Sequence, residues 1–464
     1  MTMRLEQILR ILFFEAMRRN VVTQLKKTKI VIAGGGFVGL TAARYFDQGL
    51  ARRGDVDVVL ISRENFTLFT PMLHEVAAGD LYPGDIVNPL RRVLHHVEVV
   101  EAEVRSIDLG ARRIRCVRGV ARCEVDFEFD HLLLALGSEP DFFDLHGVRE
   151  WAVTMKNLMD AALLRDRMVA FFEEAMLQSD DATRRQLLTF VTAGGGFAGI
   201  ETTGAVNDFV RETAKYYPEL SEELIRVVVV HPGNFLLPEL GEELGRYAER
   251  KLIERKVEVL KGTRVEDYDG ALVRLTNGTS IPASTLIWTA GVKPSSVIAS
   301  LPVQKEHGRV LVTQFLSVPE TSGLWAAGDC AAVPVTNGGG FHPPTAQHGV
   351  REGLTAAMNI EAAIVGRAST PFVFKTLGQL ATIGHRSGVA MVFGIKFSGI
   401  FAWWLWRTVY LVKLPGLAKK LRVVMGWTLN LLFGREIEQL ITLRDVETLS
   451  DSVSRSRARE RQTR

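Results

Sequence analysis

Two glycine-rich stretches, AGGGFVG at 33–39 and AGGGFAG at 193–199, have the residue types and spacing that bind a dinucleotide. The glycines follow G-x-G-x-x-G spacing at Gly34, Gly36 and Gly39 and again at Gly194, Gly196 and Gly199. In such a turn the first glycine bends the chain, the second lets the backbone approach a pyrophosphate, and the third lets the next helix pack closely. The helix N-terminus attracts the phosphates. One such turn is weak evidence, but two matched turns predict two dinucleotide sites.

Each glycine turn lies between an apolar run, typical of a buried parallel strand, and a helical pattern. We predict a strand at 29–33, a helix to about residue 48 and a strand at 56–62. The second unit repeats this order at 186–193, 199–224 and 226–233, and the runs at 131–138 and 285–294 predict a closing strand for each unit. The expected fold class is α/β, with two Rossmann-like domains related by internal duplication.

A later apolar run, LWAAGDCAAVP at 324–334, has no counterpart in the second half and predicts a strand that returns to the first domain. An aspartate at the end of such a strand can hold the ribityl hydroxyls of FAD, so Asp329 assigns FAD to the first and last segments. The inserted middle is then left for a nicotinamide dinucleotide. Because side chains cannot carry a hydride, this pair of cofactors predicts hydride exchange between them.

Seven stretches then resemble a known family in order along the chain. They are AGGGFVG, LFTPMLHEVAAGDL, LLLALGS, TAGGGFAGIE, WTAGV, GLWAAGDCA and PPTAQHGVREG. The set resembles the two-dinucleotide-binding-domain flavoproteins and is similar, more narrowly, to type II NADH dehydrogenases, the single-chain, non-pumping NADH:quinone oxidoreductases. The glycine turns fit many relatives of that family, whereas LFTPML and PPTAQ are narrower signals.

The resemblance implies which residues hold FAD. They are Gly34, Gly36, Phe37, Val38, Gly39, Gly137, Gly328, Asp329 and Gln347, with a backbone contact from Val104 to the adenine. In that family an acidic residue commonly ends the second strand and binds the ribose hydroxyls. Here Ser62 takes that position and Arg63 follows it, as in some members of the family.

The resemblance also implies the nicotinamide site, formed by Gly194, Gly196, Gly199, Glu201, His231 and Gly291. His231 stands where a glutamate or aspartate usually accepts the ribose 2′-hydroxyl of NADH. A neutral imidazole can still hydrogen-bond that hydroxyl, and a protonated one favours the 2′-phosphate of NADPH. We therefore expect use of both NADH and NADPH. The alternative is a strand-end histidine that binds no ligand.

Two catalytic residues, Glu201 and Gln347, are implied in the same way. Glu201 would lie beside the nicotinamide and flavin rings and assist proton movement to the quinone, or it simply favours the helix dipole. Gln347 would lie near the flavin carbonyl edge and the quinone head group. Arg351 stands where the family often has a glutamine. His348, Arg351 and Glu352 are either members of a proton relay or surface residues of a helix.

Composition and cysteine content exclude several other classes. The net charge of +3 gives no reason to expect nucleic acid as a partner. The three cysteines, Cys116, Cys123 and Cys330, show no metal-binding spacing and form no disulfide framework. A sulfide:quinone oxidoreductase needs a redox cysteine pair across the flavin, which these positions do not supply.

The composition changes beyond residue 393, where tryptophans and basic residues join an apolar background. The apolar run at 397–406 is ten residues long, about 15 Å as a helix and half of a ~30 Å hydrocarbon core. Extending it brings in Arg407 and Lys413, each costing roughly 2.5–3.5 kcal/mol at a membrane centre. We therefore expect amphipathic helices that lie in the membrane interface, with these side chains at the headgroups: Trp403, Trp404, Trp406, Lys413, Lys419, Lys420, Arg422 and Trp427. Packing on a partner subunit is the alternative.

The expected organisation has five parts. They are a lead-in helix at 1–28, an FAD domain at 28–150 and 310–390, a nicotinamide domain at 151–309 inserted into it, a membrane-facing helical segment at 391–440 and a charged tail at 441–464. The predicted protein passes a hydride from NADH or NADPH to FAD and then two electrons to a quinone. We place it at the cytoplasmic face of the cell membrane, where its membrane surface could also serve a homodimer. A non-catalytic FAD-binding membrane protein and a soluble-acceptor FAD-dependent reductase remain alternatives.

Overall fold

A computed structural model of the chain describes residues 27–336 and 338–439. The predicted charged tail and all but the last two residues of the predicted lead-in helix lie outside these ranges. The strands are β1 (Thr28–Ala33), β2 (Val56–Ser62), β3 (Phe66–Leu68), β4 (Val87–Pro89), β5 (Glu98–Glu101), β6 (Glu103–Asp108), β7 (Arg113–Arg118), β8 (Cys123–Glu128), β9 (His131–Leu134), β10 (Ser138–Pro140), β11 (Val153–Thr154), β12 (Thr189–Ala193), β13 (Arg226–His231), β14 (Val257–Lys261), β15 (Val265–Tyr268), β16 (Leu272–Leu275), β17 (Ser280–Pro282), β18 (Thr285–Trp288), β19 (Val292–Pro294), β20 (Lys305–Glu306), β21 (Arg309–Leu311), β22 (Leu324–Ala326), β23 (Ala331–Ala332), β24 (Gly378–Thr382), β25 (Gly388–Val392) and β26 (Ile395–Gly399). The helices are α1 (Phe37–Gln48), α2 (Leu50–Arg53), α3 (Leu73–Ala77), α4 (Leu90–Val93), α5 (His146–Trp151), α6 (Leu158–Leu177), α7 (Asp181–Leu187), α8 (Phe197–Thr213), α9 (Glu242–Glu254), α10 (Ser296–Ser300), α11 (Ala346–Val365), α12 (Ile400–Lys413) and α13 (Leu417–Phe433).

The first glycine turn follows the central strand of a five-stranded parallel sheet, in the order β22-β9-β1-β2-β5. Ile30, Val31 and Ile32 of β1 are buried, as expected for a parallel strand covered on both faces. The late strand β22 pairs with β9 and so joins this sheet. The strands end at one edge, which is where open α/β sheets bind ligands.

The second glycine turn lies in a second five-stranded parallel sheet, in the order β11-β18-β12-β13-β14. The two turns also share backbone hydrogen bonds. The Gly34 amide donates to the Ile61 carbonyl over 2.8 Å, and the Gly194 amide donates to the Val230 carbonyl over 2.9 Å. Equivalent strands of the two sheets therefore flank the two turns, and the predicted pair of Rossmann-like units is confirmed.

Some predicted boundaries differ from those observed. The strand predicted from residue 186 begins at Thr189, because α7 continues to Leu187. The helix predicted to reach residue 224 ends at Thr213, and two short 3₁₀ turns follow it before β13. The apolar residues in this segment suggested one continuous helix, but Pro218 interrupts the helical hydrogen bonding.

The predicted helical segment at 391–440 begins with strand instead. β24, β25 and β26 form an antiparallel sheet, so the chain becomes helical only at Ile400. Phe393 and Gly394 join β25 to β26, and both have positive φ, as a tight two-residue hairpin turn requires. The tryptophan-rich composition of the following helix hid this hairpin in the sequence.

Helices α12 and α13 complete the described chain. α12 packs on the β24–β26 sheet, and its Ala402 and Trp406 are fully buried. α13 follows after a short connection and buries Val423. Within residues 27–336 and 338–439, no helix combines the length and apolar character needed to cross a membrane.

Candidate active site

The first glycine turn is closed on its inner side and open on its outer side. A Cβ on Gly34 would lie 2.1 Å from the Ala135 carbonyl oxygen, and one on Gly39 would lie 1.7 Å from the Gly34 oxygen. A Cβ on Gly36 would meet no atom within 4 Å. Gly36 caps the N-terminus of α1, so the open space adjoins free backbone amides. This shape fits the pyrophosphate of a dinucleotide.

The second glycine turn repeats this shape. A Cβ on Gly199 would lie 1.9 Å from the Gly194 oxygen, so no side chain fits there. A Cβ on Gly196, which caps α8, would have only the Glu239 carboxylate near it, at 3.8 Å. Gly291 follows β18, the strand that pairs with β12, and a Cβ on it would lie 2.6 Å from the Phe143 ring. The chain thus has two glycine turns of the same geometry, at 34–39 and 194–199, which we call the two cradles.

His231 ends β13 beside the second turn and is 9% exposed. The Gly195 amide donates to its Nδ1 over 3.2 Å. Burial lowers the pKa of His231, so the ring is neutral at neutral pH. Since Nδ1 accepts a hydrogen bond, the ring proton of the neutral form is on Nε2. That proton faces the Phe235 backbone, which partly offsets the effect of burial on the pKa of His231. A carboxylate at this position would instead offer an acceptor to a ligand.

The predicted adenosine positions of the first site lie at the end of β2 and in β6. Ser62 is buried, and its Oγ lies 2.4 Å from where a Cβ on Gly35 would be. Arg63 is exposed, and its Nε lies 3.6 Å from Glu64 Oε1. Val104 pairs with Cys116 of β7, next to a bulge in β6. Ser62 is thus in contact with the glycine turn, whereas the Arg63 side chain is in solvent.

The ends of β9 and β22 bring Asp329 next to Ser138. The Ser138 hydroxyl donates to Asp329 Oδ2 over 2.5 Å, and Lys156 Nζ donates to the same hydroxyl over 2.8 Å. Gly137 and Gly328 both have positive φ beside them. Lys156 Nζ also lies 3.7 Å from Asp329 Oδ2, so the carboxylate has a positive partner that the sequence did not suggest.

Two residues that the sequence left as relay or surface residues are buried. Glu352 accepts the Gly328 amide over 2.6 Å, and burial raises its pKa to about 7. His348 Nδ1 lies 2.7 Å from the Thr345 hydroxyl, and burial lowers the pKa of this histidine to about 4. The surface interpretation was wrong for both, because α11 packs against α1 along this face.

Gln347 and Arg351 lie at the start of α11. The Gln347 amide donates to the Gly378 carbonyl over 3.2 Å. Arg351 donates back to the Gln347 carbonyl over 2.8 Å, and its guanidinium carbon lies 4.1 Å above the Phe374 ring. Arg351 also lies close enough to Lys413 of α12 to help burial lower the pKa of that lysine. These residues form a polar edge between α11 and α12.

Glu201 is a buried carboxyl group in α8. Trp406 Nε1 donates to its Oε1 over 2.9 Å, and the Thr382 amide donates to the same oxygen over 3.3 Å. His74 Nδ1 lies 3.7 Å from the other oxygen. Burial raises the pKa of Glu201 to about 8, so the group is mostly protonated at neutral pH. It can therefore give up a proton to a basic oxygen.

A row of aromatic rings connects the first glycine turn to Glu201. Phe37 contacts Phe69, and Phe69 contacts Tyr410, each pair with ring centres 6.1 Å apart. Tyr410 then lies 4.7 Å from Trp406, which bonds to Glu201. The row places Glu201 on an apolar wall shared with the first turn.

Two of the tryptophans assigned to the membrane headgroups lie elsewhere. Trp406 is fully buried against Glu201, and Trp427 Nε1 donates to Glu75 Oε2 over 2.7 Å. The headgroup interpretation was wrong for Trp406, because a buried indole N–H needs an acceptor and finds one in a carboxyl group. Trp404, at 57% exposure, remains available to a lipid surface.

The sequence also missed His74 and Glu75 as site residues. Both belong to the stretch LFTPMLHEV, which served only to indicate the family. Both are buried in α3, and burial raises the pKa of Glu75 to about 7 and lowers that of His74 to about 4. Their signal in the sequence was two ionisable residues inside an apolar segment.

Comparison with known proteins assigns this arrangement to a family. The family described as pyridine nucleotide-disulphide oxidoreductase matches residues 28–353, and the NDH2 C-terminal domain matches residues 377–436. The type II NADH:quinone oxidoreductase Ndh of Mycobacterium tuberculosis is 32% identical over 433 residues, covering 90% of this chain and 91% of that protein. The chain belongs to the type II NADH:quinone oxidoreductases. It is accordingly a flavoprotein oxidoreductase, and the predicted transfer of electrons from NADH to a quinone without proton pumping is confirmed.

Other relatives of this type II oxidoreductase span nearly the same length. An internal alternative NAD(P)H-ubiquinone oxidoreductase of Solanum tuberosum mitochondria is 26% identical and covers 89% of this chain and 88% of that protein. The structure of NDH2 from Plasmodium falciparum in complex with NADH has a TM-score of 0.82 at 20% identity, covering 89% of this chain and all of that one. The fold of both domains and of the C-terminal helices is thus shared.

Proposed function

We propose that the first glycine turn of this type II oxidoreductase holds FAD and the second holds the nicotinamide dinucleotide. Two cradles of equal design, each open only over its middle glycine, carry this proposal. The residues that would hold FAD are Gly34, Gly36, Phe37, Val38, Gly39, Ser62, Val104, Gly137, Gly328, Asp329 and Gln347. When bound, FAD supplies the two-electron chemistry between a hydride donor and a quinone.

The division of the chain follows from the same assignment. The first sheet, with β22 returned to it, suits an FAD domain built from residues 28–150 and 310–390. The second sheet suits a nicotinamide domain at 151–309. Lys156 crosses between them to Ser138 and Asp329, which would join the two domains beside the flavin.

We further propose that this enzyme accepts both NADH and NADPH. His231 stands at the strand end without a carboxylate that would repel a 2′-phosphate. The neutral imidazole repels neither a ribose 2′-hydroxyl nor a 2′-phosphate. Gly194, Gly196, Gly199 and Gly291 would let the dinucleotide lie against the backbone.

Glu201 and Gln347 are the proposed catalytic residues. Reduction of a quinone to a quinol consumes two electrons and two protons, so a proton donor is needed near the acceptor. Glu201 is mostly protonated at neutral pH and lies on the aromatic wall that leads to the first turn. Gln347, fixed by its bond to Gly378, would orient the quinone head group. Protonation by Glu201 is the step that the chain itself would supply.

The apolar face of the C-terminal helices supports attachment to a membrane surface. Its exposed apolar residues are Ile400, Phe401, Trp404, Val412, Leu417, Leu421, Val424, Met425, Leu429, Leu431, Leu432 and Phe433. Lys419, Lys420 and Arg422 on α13 suit anionic headgroups at the cytoplasmic face. Exposed apolar area of this extent is typical of an interaction surface. If the same face instead formed a homodimer, the protein would not bind to lipid vesicles.

One experiment tests the core of this proposal. The purified, FAD-loaded protein is mixed without oxygen with NADH or NADPH, and the flavin absorbance is followed before and after a soluble quinone is added. We expect bleaching by both nucleotides and recovery with the quinone. Bleaching by NADH alone would reject the dual specificity. Failure of the quinone to restore the absorbance would reject the acceptor role.

A further inference from the structure

A polar cavity lies among α3, α8, α12 and the turn that follows β24. The cavity is partly open to solvent, and the space within it that water centres can occupy is about 20 Å³. The lining residues that matter here are His74, Glu75, Asp208, Thr382, His385 and Arg407. His385 is exposed, whereas His74 and Thr382 are buried. The cavity thus leads from the surface to a buried imidazole, and a polar cavity of this size has room for about one water molecule.

His74 connects this cavity to Glu201. Its Nε2 lies 3.2 Å from the Thr382 hydroxyl, which also lines the cavity. Its Nδ1 lies 3.7 Å from Glu201 Oε2, roughly 0.5 Å beyond hydrogen-bond length. The two ring nitrogens therefore face two different groups, one at the cavity and one at the buried carboxyl. This is the geometry of a proton carrier, because imidazole can accept a proton at one nitrogen and release it from the other.

The reaction requires such a route. NADH delivers two electrons and one proton as a hydride, whereas a quinol contains two added protons. One proton must therefore come from water in each turnover. Glu201 is only 9% exposed, so a proton that it gives up is replaced most directly through a neighbouring group.

The charges around His74 keep it suitable for this task. The ionisable groups on the elements packed about it include Glu75, Asp80, Arg165, Asp166, Glu201, Asp208, His385, Arg407, Tyr410 and Arg435. Burial lowers the pKa of His74 more than the Asp80 carboxylate raises it, and Arg407 lowers it further. The neutral ring does not trap a proton, so any proton that it accepts passes on.

We propose that this cavity is the proton inlet of the enzyme and that His74 carries protons from its water to Glu201. The proposal rests on the role of Glu201 as proton donor proposed above. Glu201 first gives its proton to the reduced quinone oxygen and becomes a carboxylate. A proton from bulk solvent, relayed by a cavity water and the Thr382 hydroxyl, then protonates His74 at Nε2, so no hydroxide is left in the cavity. The His74 cation releases its Nδ1 proton to the Glu201 carboxylate and becomes the neutral Nε2–H tautomer. Rotation of the ring between its two sides restores the starting arrangement for the next turnover.

The test follows the Glu201 proton itself. Infrared difference spectroscopy of the FAD-loaded enzyme records exchange of the Glu201 carboxyl proton after transfer into D₂O, and Glu201→Gln identifies the band. We expect exchange at least about tenfold slower in His74→Phe and in Thr382→Val. Thr382→Ser, which keeps the hydroxyl, is the matched control and should exchange like the native enzyme. His74→Gln keeps hydrogen bonding without carrying a proton, and it replaces His74→Phe if that variant does not fold.

Rapid kinetics provides the second measurement. Flavin reduction by NADH should be unchanged in His74→Phe, whereas reoxidation by a soluble quinone should slow and show a larger solvent deuterium effect. Native exchange of the carboxyl proton in both His74→Phe and Thr382→Val would overturn the inlet. If Glu201→Gln reoxidises at the native rate, the donor role of Glu201 fails, and that result is separate from the exchange measurement.

Discussion

Trp406 donates its indole N–H to the buried carboxyl of Glu201 over 2.9 Å, and so links a C-terminal helix to the helix of the second glycine turn. Tryptophan-rich helices in such a chain are expected to face lipid. Here one of the tryptophans instead supports the proposed catalytic acid, so the C-terminal segment is part of the site.

Replacing Trp406 by phenylalanine should affect both stability and acidity. The indole bond lowers the pKa of Glu201 against the opposing effect of burial, so the pKa should rise further in Trp406→Phe. Loss of a donor to a buried carboxyl should lower the free energy of unfolding by about 1–3 kcal/mol. Urea unfolding and infrared titration of Glu201 measure the two effects. Trp404→Phe, in the same helix but exposed, is the control, and an equal change there would contradict the prediction.

Glu201 should also make stability depend on pH. Burial raises its pKa from about 4.5 to about 8, so the folded chain holds this proton more tightly than the unfolded chain does. Its contribution is complete below about pH 4.5 and is lost as the pH rises to about 8. Melting curves should show the native protein losing stability relative to Glu201→Gln over this range. Parallel pH profiles of the two proteins would contradict the assignment. Both profiles should keep some pH dependence, because burial also raises the pKa of Glu75.

The two middle glycines should separate the two cofactors. Gly36→Ala and Gly196→Ala add a methyl group where the protein has open space, and both glycines have negative φ, so the fold should persist. Gly36→Ala should lower the FAD content of the purified protein. Gly196→Ala should retain FAD and weaken NADH binding at least about tenfold, because the methyl group meets the pyrophosphate. Gly84→Ala, equally unhindered but away from both turns, is the control. Loss of FAD in Gly196→Ala would reverse the assignment.

His231 should set the choice between nicotinamide nucleotides. In His231→Glu a carboxylate again accepts the ribose hydroxyl and repels a 2′-phosphate, so the dissociation constant of NADPH should rise at least about tenfold relative to that of NADH. Calorimetry with ADP-ribose and its 2′-phosphate measures this without any flavin chemistry. His307→Glu, at an exposed position outside the site, should leave the ratio unchanged. An unchanged ratio in His231→Glu would remove His231 from the specificity determinants.

Charges on the exposed face of α13 should weaken membrane attachment. Leu421 and Met425 are more than 60% exposed and lie one helical turn apart. Placing aspartate at both should reduce co-sedimentation with anionic phospholipid vesicles at least about tenfold, because each apolar side chain contributes about 1.5–3 kcal/mol when buried. Reduction of a water-soluble quinone should be retained. Leu177→Asp, exposed on α6, is the control, and equal vesicle binding by both variants would argue for a dimer surface instead.

Much of the fold was predictable because its signals are local. The strands of both sheets are continuous apolar runs, and the glycine turns follow them at fixed spacing, so β1, β2 and β13 were located to within two residues at each end. The hairpin of β25 and β26 was missed because Phe393 and Gly394 are its only turn signal and apolar helix composition surrounds them.

The site was less predictable, since it depends on contacts between distant segments. Nothing near Glu201 in the sequence indicates that Trp406 and His74 enclose it, because the three residues lie in different thirds of the chain. Lys156 beside Asp329 is a similar case, because the lysine comes from an ordinary turn before α6. The ionisable pair His74-Glu75 inside an apolar stretch was the one local hint.

The C-terminal half of the last described helix, together with the residue Arg435 beyond it, is bound to the segment that carries His74. Trp427 reaches Glu75 from within α13, and just beyond it Arg435 pairs with Asp80 over 2.9 Å. A truncation that removes this helix to make the enzyme easier to handle would uncover Glu75 and rehydrate the neighbouring imidazole. The shortened protein would then report the acid–base behaviour of a different, wetter centre. The proposed membrane surface and the proposed proton route therefore depend on the same packed helices.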